Sequence, residues 1–383
     1  MTAISPAYKK DSETITFEHK AVTNVYVVST GNVVLGSTGV GSSINGRVLV
    51  NGDIILLKDQ TDQSENGVYE TITAQTFDTT RHSDYDTFEE LNGAVVRSND
   101  NLELSGTQAN QGTVWYQTSV LTSLSDNQVW SQTPATQSLV IPDGITNIIA
   151  KGFGSGGGGG GGDNGQGGGG GGAGGIISTK SLTVTPGETL TITLGKHGTP
   201  GLGDRFNFTR AGTSGGNGGD FIISGVNGEI RFFGGGGGGM GGAVGGNSFY
   251  ASGGSTASTA GGGGASLGNG GNAGSGVGVR GGGGAGGAVT ASGGAGSTSE
   301  YNASTPAVGG FGTGGIGGGG GGGGSSLLLG GDGGAGSSVA GSPGLDAPSN
   351  GGGGGGGGGA SSATGNNGRH GGLGAGGSVT INY

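Results

Sequence analysis

"VIPDGITNIIAKGFGSGGGGGGG" (residues 140–162) reads as strand, Pro-Asp-Gly turn and strand, and then becomes glycine. Seven glycines follow Ser155, and an unbroken run of nine occupies 351–359. Glycine loses more backbone freedom on folding than any other residue. Such runs are ordinarily flexible linkers. The fold therefore turns on whether bare backbone can order against itself.

One conformation allows it. A left-handed extended helix with three residues per turn makes no internal hydrogen bonds, so every N–H and C=O points outward. Helices of pure glycine approach closely because no Cβ intervenes. Their backbone groups can then pair with neighbours in three directions around each axis. Nine residues span about 28 Å at a rise of ~3.1 Å. Ordering the backbone costs about 1–2 kcal/mol per residue, while one hydrogen bond returns about 0.5–1.5 kcal/mol net. A lone glycine helix therefore fails. A packed array adds dispersion and Cα–H···O contacts, and it needs a folded anchor. Collagen is excluded, because the runs are contiguous and residues 152–383 hold only five prolines.

Composition narrows the class. Glycine is 108 of 383 residues, about four times its usual share. Residues 1–151 hold 11 of these glycines and residues 152–383 the other 97. Charged residues are 10% and the net charge is −10, so the basic face of a nucleic-acid binder is missing. No apolar run approaches the ~20 residues of a membrane span. The opening "MTAISPAYKKDSETITFEH" lacks the apolar core of a secretion signal, which leads us to expect synthesis in a cytoplasm without export. Cysteine is absent, so disulfides, thiol nucleophiles and Cys–zinc sites are excluded.

The expected fold is mainly β with little α-helix. "RVLVN" (47–51), "DIILLK" (53–58), "GVYETIT" (67–73) and "GAVVRS" (93–98) are short, Val- and Ile-rich and bounded by turn residues. Asn-Gly pairs at 45–46, 51–52, 66–67 and 92–93 signal tight turns. We expect an antiparallel β module over 21–135 with Trp115 and Trp130 in or beside its core, and one or two helical turns in "YDTFEELNG" (85–93). Residues 1–20 are read as an N-terminal attachment arm. Residues 136–383 form the glycine-rich part: a small β sandwich from 138–233 plus "SVTINY" (378–383), carrying a bundle of polyglycine helices over 234–377.

No catalytic constellation emerges. His19, His82, His197 and His370 are scattered. G-x-G-x-x-G carries no information inside polyglycine. A phosphate-binding loop is absent, because Gly195-Lys196 is followed by His197. Asp59, Asp62 and Glu65 carry oxygens that could ligate Ca²⁺, but a solvated turn is the simpler reading. We therefore expect no enzyme, cofactor or metal. Binding is the better prospect, since loops on a rigid scaffold commonly carry recognition. Phe249, Tyr250, Arg280, Tyr301, Arg369 and His370 fall between glycine blocks, where bundle-end loops would lie. Tyr and Arg are favoured at interfaces. The alternative is that these residues plug the ends of the lattice.

The residues also carry a resemblance. "GRVLVNGDIILLKDQTDQSENGVYE" (46–70), "FDTTRHSDYDTFEELNGAVV" (77–96) and "VWSQ" (129–132) resemble a module frequent in bacteriophage tail fibres. "VIPDGITNIIAKGFGSGGGGGGG", "LTVTPGETLTITLGKHG" and "GGSVTINY" resemble the glycine-rich domain of such fibres. In architecture the long blocks are similar to the polyglycine II adhesins at the tips of T-even-type long tail fibres. The resemblance implies a virion protein assembled in the host bacterial cytoplasm. The N-terminal part would meet other tail or fibre proteins. Bundle-end loops would bind a host surface glycan or outer-membrane protein, without nucleic acid or membrane insertion. The rivals are a structural capsid or tail decoration and a capsule depolymerase. The last needs paired carboxylates, and residues 233–383 contain only Glu300, Asp332 and Asp346.

Overall fold

The computed structural model describes residues 8–11, 14–77, 80–98, 110, 112–162, 178–203, 213–239, 344–347 and 370–383. It is mainly β, and no helix among the described residues reaches seven residues. The chain divides into two units, one of Met1–Tyr8 with His19–Gln137 and one of Lys9–Glu18 with Ser138–Tyr383.

The first unit holds a four-stranded sheet in the order Trp130–Ser131, Val114–Gln117, Val95–Ser98, Val22–Val25, and a three-stranded sheet of Val27–Val28, Ile54–Leu57 and Gly67–Glu70. The expected antiparallel module is in fact mixed. Val22–Val25 runs parallel to Val95–Ser98, and Val27–Val28 runs parallel to Ile54–Leu57. The chain passes from one sheet to the other at Tyr26, so a single apolar stretch supplies two first strands. Long excursions separate each from its parallel partner, which is what parallel pairing needs. Trp115 and Trp130 are buried in one core with Val25, Leu56 and Leu91. A second core gathers Ile55, Leu57, Tyr69 and Phe77. The helix Phe88–Leu91 starts with a capping box between Thr87 and Glu90. Asn45 and Gly46 both have positive φ in the turn joining Ser43–Ile44 to Arg47–Val48, as a two-residue hairpin of this type requires.

In the second unit, a five-stranded sheet runs Tyr8–Asp11, Thr14–Glu18, Ser378–Asn382, Asn147–Phe153, Ser178–Thr183. A four-stranded sheet runs Thr136–Val140, Thr189–Thr193, Phe221–Gly225, Gly228–Phe232. Every other residue faces inward. Ile15, Phe17, Ile148, Ala150, Val379 and Ile381 are buried from the first sheet, and Leu190, Ile192, Phe221, Ile223, Ile230 and Phe232 from the second. The result is a sandwich, its period of two set by the pleat. Within the stretch read as an arm (1–20), residues 14–18 belong to the sandwich. Thr14–Glu18 is an inner strand, antiparallel to Ser378–Asn382 across five opposed pairs. Its alternation of Ile15 and Phe17 with Thr14, Thr16 and Glu18 supplies the apolar face that a place beside the last strand needs.

Five strands connect directly with glycine segments. Asn147–Phe153 leads into 154–162 (segment I), Thr189–Thr193 into 195–203 (segment II), and Gly228–Phe232 into 233–239 (segment IV). Segment III (213–219) feeds Phe221–Gly225, and segment VI (370–377) feeds Ser378–Asn382. A sixth piece, segment V, is 344–347. Here the hydrogen-bond period changes from two to three. Ser155, Gly158 and Gly161 of segment I donate to Gly219, Gly216 and Thr213 of segment III at 3.0–3.1 Å. Gly156 and Gly159 donate to Ala375 and Gly372 of segment VI at 2.8 and 2.9 Å. The carbonyls of Gly156 and Gly159 accept from Gly198 and Gly201 of segment II, and those of Ser155 and Gly158 accept from Gly235 and Gly238 of segment IV. Segment I is thus bonded to four neighbours, two parallel and two antiparallel. None of its glycines has positive φ. A three-residue repeat without bonds inside the segment is the left-handed extended helix.

Segments I and VI continue the first sheet, and segments II, III and IV continue the second. Inside the sandwich the two layers stand about 10 Å apart across side chains. In the lattice they hydrogen-bond directly. Glycine is what permits this. A Cβ on Gly158 would overlap the carbonyl of Thr199, and one on Gly371 would overlap that of Gly159. The lattice also begins earlier than expected. Segments I, II and III lie before residue 234, in the stretch assigned to the sandwich alone.

Each helix has three rows of residues. In segment II Gly195, Gly198 and Gly201 share one row, buried His197 and Pro200 lie on a second, and exposed Lys196 is on the third. This gives a contrast between residues two positions apart. Gly198→Ala drives a Cβ against Gly158 N and Gly156 O and should cost about 3 kcal/mol, the upper end of overpacking. Lys196→Ala should stay within about 0.5 kcal/mol. Denaturant melts of the two variants check the difference.

Candidate functional site

The lattice has two ends. One joins the sandwich. At the other, the described chain reaches Gly162, Gly203 and Gly239 on its way out and resumes at Thr213 and His370 on its way back. Gly344 belongs to this far end too, since its N–H donates to the carbonyl of His370 at 3.0 Å. Lateral bonds fix these positions relative to one another. Gly161 N bonds Thr213 O, Gly371 N bonds Gly201 O, and Thr213 N bonds Leu202 O, all at 2.8–3.0 Å. Thr213 Oγ1 also accepts from Leu202 N at 2.7 Å, closing a two-bond clamp where segments II and III end. The far end therefore holds chain exits from both layers on a hydrogen-bonded base.

Of the six expected contact residues, the structure places one. His370 stands at the start of segment VI and is 7% exposed, with Nδ1 3.0 Å from the carbonyl of Gly371. It packs into the lattice end, the plugging position weighed against binding. Phe249, Tyr250, Arg280, Tyr301 and Arg369 lie outside the described residues. Two of the three carboxylates weighed as Ca²⁺ ligands have local partners. Asp62 accepts from Ser64 N and Oγ, which holds its carboxyl below the usual carboxylate range, and Asp59 pairs with Lys58. Among the described residues no group of three or more His, Cys, Asp or Glu could hold a metal ion. No helix among them is long and apolar enough to cross a membrane.

The sequence reading missed a set of short polar side chains that complete the lattice. Ser155 is fully buried where the sandwich becomes lattice. Its hydroxyl donates to Gly195 O at 2.7 Å in one layer and accepts from Gly377 N at 3.0 Å in the other. Asp220 Oδ1 accepts from Gly234 N at 2.8 Å, and its other oxygen takes Arg231 at 3.2 Å. Hydrogen bonding to Glu229, and then to Asp220, raises the Arg231 pKa. Asn217 Oδ1 accepts from Gly237 N at 2.8 Å, and Asp346 Oδ1 from Leu373 N at 2.7 Å. Each side chain supplies an acceptor where a neighbouring backbone does not. The signal was visible as single Ser, Asn or Asp residues interrupting or bordering glycine runs.

Ser155→Ala would remove the acceptor of the buried Gly377 N–H and the hydroxyl bond to Gly195 O. A buried donor left without its partner costs about 1–3 kcal/mol, so the variant should melt well below the parent. Ser155→Gly should fall as far, because the hydroxyl rather than the volume is lost. Equal melting temperatures for all three chains would refute this role.

A family model described as a glycine-rich domain matches residues 132–383. The match contains every strand of the sandwich except Tyr8–Asp11 and Thr14–Glu18. No curated protein matches the chain. With more than half its length covered, and with the lattice segments inside the match, this chain belongs to the glycine-rich domain family.

Proposed function

We propose that the chain is a phage tail-fibre or receptor-binding protein that presents recognition loops at the far end of its glycine lattice. The observation that carries the reading is that chain exits from both layers leave one end of a laterally bonded array. A rigid base of this kind lowers the ordering cost of binding for the loops it carries. The residue types between the glycine blocks suit the task. Tyr301, Tyr250 and Phe249 offer stacking surface, Arg280 and Arg369 offer charge-assisted hydrogen bonds, and Ser, Thr and Asn neighbours suit sugar hydroxyls. The partner is a bacterial surface glycan or outer-membrane protein. His19–Gln137, with its own two cores, is the part that meets other virion proteins.

Fluorescently labelled full-length protein, applied to a panel of bacterial strains, tests the proposal. Binding should be confined to a subset of strains. Tyr301→Ala or Arg369→Ala should weaken it by tenfold or more, about 1.4 kcal/mol, without lowering the melting temperature. Failure to bind any strain, including hosts of the phage that carries the protein, would favour a purely structural virion role. Release of reducing sugar from capsule would favour the depolymerase.

A further inference from the structure

The sandwich is not built from consecutive chain. Its inner strand Thr14–Glu18 and its next strand in sequence, Thr136–Val140, are separated by a unit with its own cores. Thr14–Glu18 nevertheless contributes fully. Ile15 and Phe17 are 0% and 2% exposed and join Val379 and Ile381 on the buried face. Thr14 Oγ1 donates to Asn382 Oδ1 at 2.8 Å, and the hydroxyls of Thr16 and Thr380 lie 3.2 Å apart. Taking the strand away would bare one edge of Ser378–Asn382 and open the core beneath it. Only His19, Lys20 and Ala21 connect this strand to Val22–Val25 of the other unit. Lys20 is pinned there, because its Nζ donates to the carbonyls of Glu89 and Glu90, both at 2.9 Å.

We propose that this slot is a strand-exchange site, and that the occupant able to replace the chain's own Thr14–Glu18 is the same strand from a second copy. A second copy offers the identical Ile15/Phe17 face and the same five-residue register, so every sheet contact is conserved on exchange. Only the hinge changes. A three-residue connection with Lys20 held at its centre is a short hinge of the kind at which domain swapping occurs. The balance is then set by the effective concentration of the tethered strand against the concentration of chains. Exchange joins copies through a completed β sheet rather than through a surface patch. It holds whatever the far end of the lattice binds.

The absence of native cysteine makes the test direct. Thr16 and Thr380 are opposed in the register, within the Cα separation a disulfide accepts. The full-length double variant T16C/T380C should close a disulfide within the chain, which reports the pairing itself. Full-length T16C and T380C, refolded together and oxidised, should give a covalent heterodimer whose yield rises with protein concentration. Neither single variant refolded alone should match it. Sedimentation of the cysteine-free chain, refolded at the same concentrations, gives a second readout. Gly-Ser residues inserted after Lys20 should shift its dimer toward monomer. If the double variant closes within the chain but the mixture gives no heterodimer, the exchange is refuted. It is equally refuted if the double variant does not close, or if the lengthened hinge leaves the dimer fraction unchanged.

Discussion

Direct backbone pairing between two β layers is the interaction on which the glycine-rich unit depends. In an ordinary sandwich the layers meet through side chains. Here that holds only as far as Phe153, Leu194 and Phe232, which are all buried. Beyond them the side chains vanish, and the layers close until N–H meets C=O. Segment I is the centre of the result, with bonds to segments II, III, IV and VI. A Cβ added at Gly157, Gly158, Gly160 or Gly161 would lie 1.9–2.0 Å from a carbonyl oxygen of a neighbouring segment, so the glycine there is a packing requirement rather than a sign of flexibility.

The sandwich solves the entropy problem that the lattice cannot solve alone. A hydrogen bond does not by itself offset the ordering of a glycine. Five strands enter or leave the lattice with their direction and register already fixed by Leu, Ile, Val and Phe packing. The antiparallel neighbours Asn147–Phe153 and Ser378–Asn382 become the antiparallel segments I and VI, and the Thr189–Thr193 and Phe221–Gly225 pair becomes II and III. The bonds between layers are the additional gain. Ser155 sits where one regime becomes the other, and its single hydroxyl serves both layers.

Much of this was legible in the sequence. The alternation around Ile148 and Ala150 marked a strand, and contiguous glycine with few prolines excluded collagen. Trp115 and Trp130 read correctly as core residues because large aromatics bounded by turn signals have nowhere else to go. Other features were hidden for physical reasons. Nothing local in "TITFE" (14–18) says that its partner lies at 378–382, because pairing between the ends of a chain leaves no trace in either segment. The parallel pairs of the first unit were missed for the same reason. Segment II was disguised because only one of its three rows is glycine. Ser155 looked like an interruption until the second layer supplied Gly195. Of the far end, the sequence suggested the residue types between the blocks, and the structure adds the laterally bonded end that Gly162, Gly203 and Gly239 reach and from which Thr213 and His370 return.

Amide hydrogen exchange along the glycine segments bears most directly on the pairing between layers. Gly158, Gly198, Gly201, Gly371 and Gly374 all donate to a backbone carbonyl in the other layer. Their amides should exchange as slowly as those of Ile148 and Ile192 within the sandwich. Exchange at the rate of an unstructured chain at these glycines, with the sandwich strands still protected, would show that bare backbone does not order across the two layers.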